Sequence, residues 1–180
     1  TLNSSLTETI YGLGIGERMI ATDVTSISPK AAAALPRVSK NRSVSAEGLL
    51  SFKPSIVIAN EGDVSKSVIQ QIRAAGVKFV SIKPNYSVPG ALRYIQEVAD
   101  AVGESAAGKN LVSRTKVSLD HTMELVKKEN QGKAAPKVLF LYARGTGTMS
   151  VAGKGSSLDA MINLAGGKNA VQEFSDFKPY

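Results

Sequence analysis

Two short runs, Ser55-Ile56-Val57-Ile58-Ala59 and Val77-Lys78-Phe79-Val80-Ser81-Ile82, flank a segment whose apolar residues recur at helical spacing. That alternation constrains the fold more than any other feature of the chain. A continuous apolar run suits a strand covered on both faces, as in a parallel sheet. Parallel neighbours need a crossover between them, usually a helix. Residues 64–75 supply it, with Val68, Ile69 and Ile72 on one face and Gly76 as the stop. A second helix over 89–102 turns Leu92, Ile95, Val98, Ala99 and Val102 inward. The expected fold class is α/β.

Upstream, Ser4 or Ser5 is the expected N-cap of a first helix, with Glu8 in its first turn and Leu6, Ile10 and Leu13 facing the core. Gly14 and Gly16 end it. Met19-Ile20-Ala21 reads as a short strand, and Ser28 as the cap of an Ala-rich helix with Pro29 at its first position and Pro36 as its stop. Another helix begins at Ser45-Ala46-Glu47 and ends by Lys53-Pro54. Thr1-Leu2-Asn3 reads as the end of a strand entering a helix, so processing or truncation upstream is expected.

Downstream, residues 104–130 form one long helical stretch. Its apolar positions, including Leu111, Val117, Met123 and Val126, do not make a single stripe, which suits a spine between two lobes. A strand over 137–142, a Gly-rich turn, a strand near 150–152 and a helix over 157–164 then begin a second α/β pattern. The expected organisation is an N-terminal lobe at 1–102, a connecting helix at 103–132 and the start of a truncated second lobe at 133–180.

Chemistry is narrowed mostly by what the chain lacks. Among 180 residues there is no Cys and one His, His121. Disulfide scaffolds, thiolate nucleophiles and Cys- or His-cluster metal sites are excluded. Residues 147–154 miss the phosphate-loop spacing, because five residues rather than four precede Gly153-Lys154 and Gly155 follows. No G-x-S-x-G elbow occurs. His121 reads as an ordinary helix residue. The formal charge of +7 would suit an anionic partner, but the basic residues are scattered and no aromatics interleave them, so nucleic acid is not expected. No run approaches the length of a membrane span. A two-lobed binder, not an enzyme, is the expectation.

Three segments then carry a resemblance: Leu6-Thr7-Glu8-Thr9-Ile10-Tyr11-Gly12-Leu13-Gly14, Leu35-Pro36-Arg37-Val38, and Ser45-Ala46-Glu47-Gly48-Leu49-Leu50-Ser51-Phe52-Lys53-Pro54. Their order resembles the substrate-binding proteins of iron-siderophore, cobalamin and haem ABC importers, the type III class. Residues 144–155 and 159–167 resemble the haem branch. The resemblance implies two Rossmann-like α/β lobes with parallel sheets, joined by one long helix, with the ligand held between them. It implies a periplasmic or lipid-anchored protein that passes haem, as cargo and not as a catalytic cofactor, to an inner-membrane permease. Glu47 matches the first-lobe acid that meets the permease. Lys40, Asn41, Arg42 and Glu61 are the expected ligand contacts on one side, and Tyr142, Arg144 and Met149 on the other.

One position departs from the pattern. Haem carriers of this type bear Val-Gly-Tyr-x-Arg after the Leu-Pro motif, the Tyr being the iron ligand. Here Val38-Ser39-Lys40-Asn41-Arg42 puts Lys40 at the Tyr position. A phenolate is a hard anionic donor for ferric haem, whereas an ammonium must first lose a proton from a pKa of about 10.4. Three readings stay open: haem held by its propionates through Lys40, Arg42 and Arg144, with another residue or none on iron; a different anionic chelate or tetrapyrrole; or a diverged loop with weak binding. Tyr86, Tyr142, Met149 and Tyr180 are the replacement donors to consider, and the metal ligand is otherwise unassigned.

Overall fold

The structure, a computed structural model, describes residues 1–179 other than Arg42, Arg144 and Thr146. The chain divides into two compact units: residues 1–85 with 90–113, and residues 86–89 with 114–180.

Unit 1 is built on two parallel strands, β1 (Ile56–Asn60) and β2 (Lys78–Ile82), in register Ile56 to Lys78 through Asn60 to Ile82. Helices α1 (Ser4–Gly12), α2 (Lys30–Ala33) and α3 (Ala46–Leu50) precede them, and α4 (Lys66–Ala74) makes the crossover. Alternating side chains of the strands feed two apolar clusters. Ile58 and Ile82 join Leu6, Ile10 and Leu13 of the α1 segment and Tyr94, Val98 and Ala99 of α5 (Val88–Ala101). Val57, Ala59 and Phe79 join Leu49 of α3 and Ile72 of α4 on the other face. The parallel pair expected from the two apolar runs is present.

Several boundaries shift for local reasons. Asn3, not Ser4 or Ser5, caps α1: its backbone is extended and its side-chain oxygen accepts from Ser5 N at 3.0 Å. Both serines are therefore inside the helix, and its first turn holds no acid. Pro29 is the cap of α2 rather than its first residue, because its ψ of 174° is extended. Helix α4 begins two residues later than expected, since Ser65 caps it by accepting from Val68 N. The segment 19–21 forms no ladder. Only Thr22 pairs there, with Arg37 in a single parallel bridge.

Helix α6 (Ser105–Glu129) gives its first nine residues to unit 1 and the rest to unit 2. Gly108 lets it approach α5 closely, since a Cβ there would lie 2.5 Å from that of Ala99. No helix of the described residues is long and apolar enough to cross a membrane.

In unit 2 the expected strand over 137–142 is two strands in different sheets. The first, β3 (Lys137–Val138), pairs in parallel with β6 (Lys168–Asn169). The second, β4 (Leu141–Ala143), pairs antiparallel with β5 (Met149–Ala152), which pairs with β7 (Phe177–Pro179). A tight connection between neighbouring strands makes them antiparallel, so the parallel pattern of unit 1 is not repeated in this sheet. Helix α7 (Ser157–Leu164) has the limits its sequence implies, capped by Ser156.

Candidate ligand-binding site

In a parallel α/β sheet, ligands collect beyond the carboxyl ends of the strands. In unit 1 that end carries Asn60 and the loop Glu61-Gly62-Asp63. Glu61 N donates to Ile82 O at 2.8 Å, which ties the loop to β2, and Gly62 turns it with a φ of 91°. The Glu61 side chain is exposed. Asn60 is held from behind, its Oδ1 accepting from Tyr94 Oη at 2.7 Å. A cavity of about 220 Å³ opens here, among Leu2, Asn3, Ser4, Asp23, Thr25, Val44, Asp63 and Val64. Among the described residues, none of the contacts expected from the sequence lines it.

Lys40 and Asn41 lie on an exposed turn before α3. Asn41 shapes that turn: its Oδ1 accepts from Ser43 N at 2.9 Å, the local bond that favours Asn in turns, and Ser39 Oγ donates to Asn41 O. Arg42 lies outside the described residues. Glu47 is exposed in the first turn of α3, where the helix dipole favours an acid.

The turn is anchored by buried groups that the sequence reading overlooked. Asp23 Oδ1 accepts from Ser26 Oγ at 2.6 Å, Asp23 Oδ2 accepts from Thr25 N and Thr25 Oγ1, and Ser26 Oγ shares a hydrogen bond of 2.7 Å with Thr7 Oγ1 of α1. Arg37 Nη1 donates to the carbonyls of Asp23 and Ser26 at 2.8 and 2.9 Å and to Thr22 Oγ1, while Nη2 reaches Ala33 O. Arg37 thus clamps residues 22–26 to the chain that leads into Lys40. The local signal was Asp23-Val24-Thr25-Ser26, a turn-forming cluster whose side chains bond their own backbone.

In unit 2, Tyr142 on β4 and Met149 on β5 are 45% and 40% exposed. Their register decides what they can do together. Tyr142 lies opposite Ser150 and Ala143 opposite Met149, so alternation puts Tyr142 and Met149 on opposite faces of the sheet. A ligand laid on one face meets one of them. Arg144 and Tyr180 lie outside the described residues. Tyr86 is exposed, and so is His121 on α6. Among the described residues there is no group of three His, Cys, Asp or Glu side chains able to hold a metal.

Asp159 is the best-shaped polar site of unit 2, and it is structural. Its Oδ2 accepts from Gly155 N at 2.8 Å and its Oδ1 from Gln172 Nε2 at 3.1 Å, while its own amide donates to Ser156 Oγ. The Gly155 amide, against a smaller opposing effect of burial, holds its carboxyl below the usual carboxylate range.

The model of the family described as "Periplasmic binding protein" matches residues 1–179. The periplasmic heme-binding protein RhuT from Roseiflexus sp. RS-1, in apo form, superposes with a TM-score of 0.92 at 35% identity, over 99% of this chain and 68% of that one. An uncharacterized ABC transporter substrate-binding lipoprotein, YvrC of Bacillus subtilis (strain 168), is 26% identical over 96% of this chain. A vitamin B12-binding protein of Photorhabdus laumondii is 22% identical over 94% of it. The chain spans 55% and 59% of the length of those two curated relatives. Its α/β fold with parallel strand pairs is that of the type III binding proteins. The chain therefore belongs to the periplasmic binding protein family, a transport-binding and non-enzymatic class.

Proposed function

We propose that this chain is the ligand-capturing component of an ABC importer and that its cargo is haem. The observation that carries this reading is the match to a heme-binding protein at 35% identity along nearly all of the chain. Residues 1–102 serve as the first lobe, 103–132 as the connecting helix and 133–180 as the start of the second. Lys40, Asn41, Arg42 and Glu61 contact the ligand from the first lobe, and Arg144 with whichever of Tyr142 and Met149 shares the ligand's face of the sheet from the second. The cations pair with propionates, each such bond contributing about 1.5–3 kcal/mol where water is excluded. Glu47, exposed on α3, meets the permease, and the protein works in the periplasm or tethered outside the cytoplasmic membrane.

A haemin titration followed at the Soret band tests the cargo. A saturable shift at micromolar protein is expected; its absence sinks the haem reading. Competition by cobalamin would favour the second reading, a corrinoid carrier, which the vitamin B12-binding relatives support. Replacing Lys40 with Tyr should move the band and tighten binding. An unchanged spectrum would mean that position 40 does not face the iron. Arg42→Ala should weaken binding, more so at low salt. Glu47→Lys should leave the titration intact and impair delivery to the permease.

A further inference from the structure

Basic residues are spread along the sequence, but the fold gathers five of them at one end of unit 2. Helix α6 closes with Lys127 and Lys128 in its last turn. Lys133 N then donates to Asn130 O at 3.1 Å, so the chain turns tightly before β3. Beside this turn runs the link from α7 to β6: Asn130 Nδ2 donates to Ala165 O at 3.3 Å, and Lys168 N to Pro136 O at 2.9 Å. The ladder that follows sets Lys137 directly opposite Lys168. All five lysines are exposed.

Like charges on facing residues of neighbouring strands, about 4.8 Å apart at the backbone, repel. Little on the chain offsets them. Among the described residues none of the five makes an ion pair. Glu129 is the only acid in residues 127–137 and 161–170. The carboxyl ends of α6 and α7 each carry about half a negative charge, which favours lysines here, yet with Glu129 they leave a surplus of about three positive charges. Lys137 and Lys168 open β3 and β6, at the end opposite to the carboxyl ends beyond which ligands of parallel sheets collect. None of the proposed cargo or permease contacts belongs to the group.

The neighbours of the lysines select the partner. Met161 and Leu164, three residues apart and so on one face of α7, are 63% and 37% exposed. A soluble polyanion offers such side chains nothing, whereas a bilayer places headgroup phosphates directly above acyl chains. We propose that this end of unit 2 docks on an anionic phospholipid surface, the lysines meeting headgroup phosphates and Met161 and Leu164 reaching the acyl boundary. The docking goes beyond the cargo reading and does not depend on it.

Co-sedimentation with vesicles of phosphatidylcholine alone, and of phosphatidylcholine with phosphatidylglycerol, tests the surface. Binding to the mixed vesicles only is expected at low salt, fading as added salt shortens the Debye length; no binding to them overturns the proposal. Lys133→Gln, Lys137→Gln and Lys168→Gln together should weaken binding about hundredfold, since each Lys near such a surface counts for about fivefold. Removing three exposed charges of unit 1 instead, with Lys30→Gln, Lys66→Gln and Lys109→Gln, should weaken it less than about fivefold. Equal losses in the two triple variants reduce the effect to net charge and overturn the patch. If the first triple variant folds poorly, Lys133→Gln alone, on the turn, should still cost about fivefold. Met161→Gln with Leu164→Gln should weaken binding to the vesicles and leave binding to inorganic polyphosphate as it was. Tighter binding to polyphosphate than to vesicles, unaffected by those two changes, overturns the lipid surface and makes this a site for a soluble polyanion. The haemin titration of the first triple variant should match that of the unaltered chain, which keeps this test separate from that of the cargo.

Discussion

In unit 1 the apolar residues of β1 and β2 disappear into two clusters, with Ile58, Ala59 and Val57 all at 4% exposure or less. In unit 2 the comparable residues Leu139, Leu141 and Phe177 stay 39–54% exposed, and Met161 on α7 reaches 63%. Composition does not explain the contrast, because both units have short apolar strands beside amphipathic helices. Layering does. Unit 1 covers its strand pair with α1 and α5 on one face and α3 and α4 on the other. Within unit 2 burial is confined to a few residues such as Val151, Ala152 and Ile162. A strand contributes to stability in proportion to the apolar area it removes from water, about 25 cal/mol per Å², so the two units should respond differently to the same substitution.

The largest effect is expected from truncating that core. Leu6→Ala, at a fully buried position, should cost about 2–5 kcal/mol, whereas Leu141→Ala in the exposed sheet should cost less than about 1 kcal/mol. Urea unfolding of both variants measures the difference, and equal costs would break the contrast. Next comes Arg37→Ala, which strips donors from the carbonyls of Asp23, Ser26 and Ala33 and should cost about 1–3 kcal/mol. Exchange at the amides of residues 22–26 should rise more than at β1, since the clamp acts on the turn and not on the sheet.

A smaller and pH-dependent effect belongs to unit 2. Because the folded carboxyl of Asp159 titrates below its unfolded value, its stabilisation is present above the unfolded carboxylate range and is lost as pH falls through the folded pKa. Asp159→Asn should flatten the acid limb of the unfolding curve, and an unchanged limb would remove Asp159 from the account of unit 2. The smallest effect is Lys116→Ala on α6. Its ion pair with Asp120 is exposed on both sides and should contribute no more than about 0.5 kcal/mol, vanishing at high salt.

Legibility followed the range of the signal. The strand pair β1–β2, the crossover α4 and the helix α7 were readable because apolar spacing, Ser caps and Gly stops act within a few residues. The strands β6 and β7 were not, since Lys168–Asn169 and Phe177–Pro179 are too short and mixed to show a period, and exist through pairing with β3 and β5. The single run over 137–142 could not reveal that its two halves join different sheets. Of the candidate site, the motif order located Lys40, Glu47 and Glu61 on exposed turns and a helix end. The network of Asp23, Ser26 and Thr7 joins polar loop residues to a helix residue nineteen positions away, a link no local pattern reveals.

By itself, then, the sequence determined the α/β class, the alternation of elements in unit 1 and the exclusion of thiol and His-cluster chemistry, because these depend on residue type and local period. Tertiary structure decided which strands pair, that Tyr142 and Met149 face opposite ways, and that Arg37 clamps the turn before Lys40. Those outcomes rest on backbone edges and buried hydrogen bonds between residues up to tens of positions apart, whose energies depend on where the chain returns rather than on what any one segment contains.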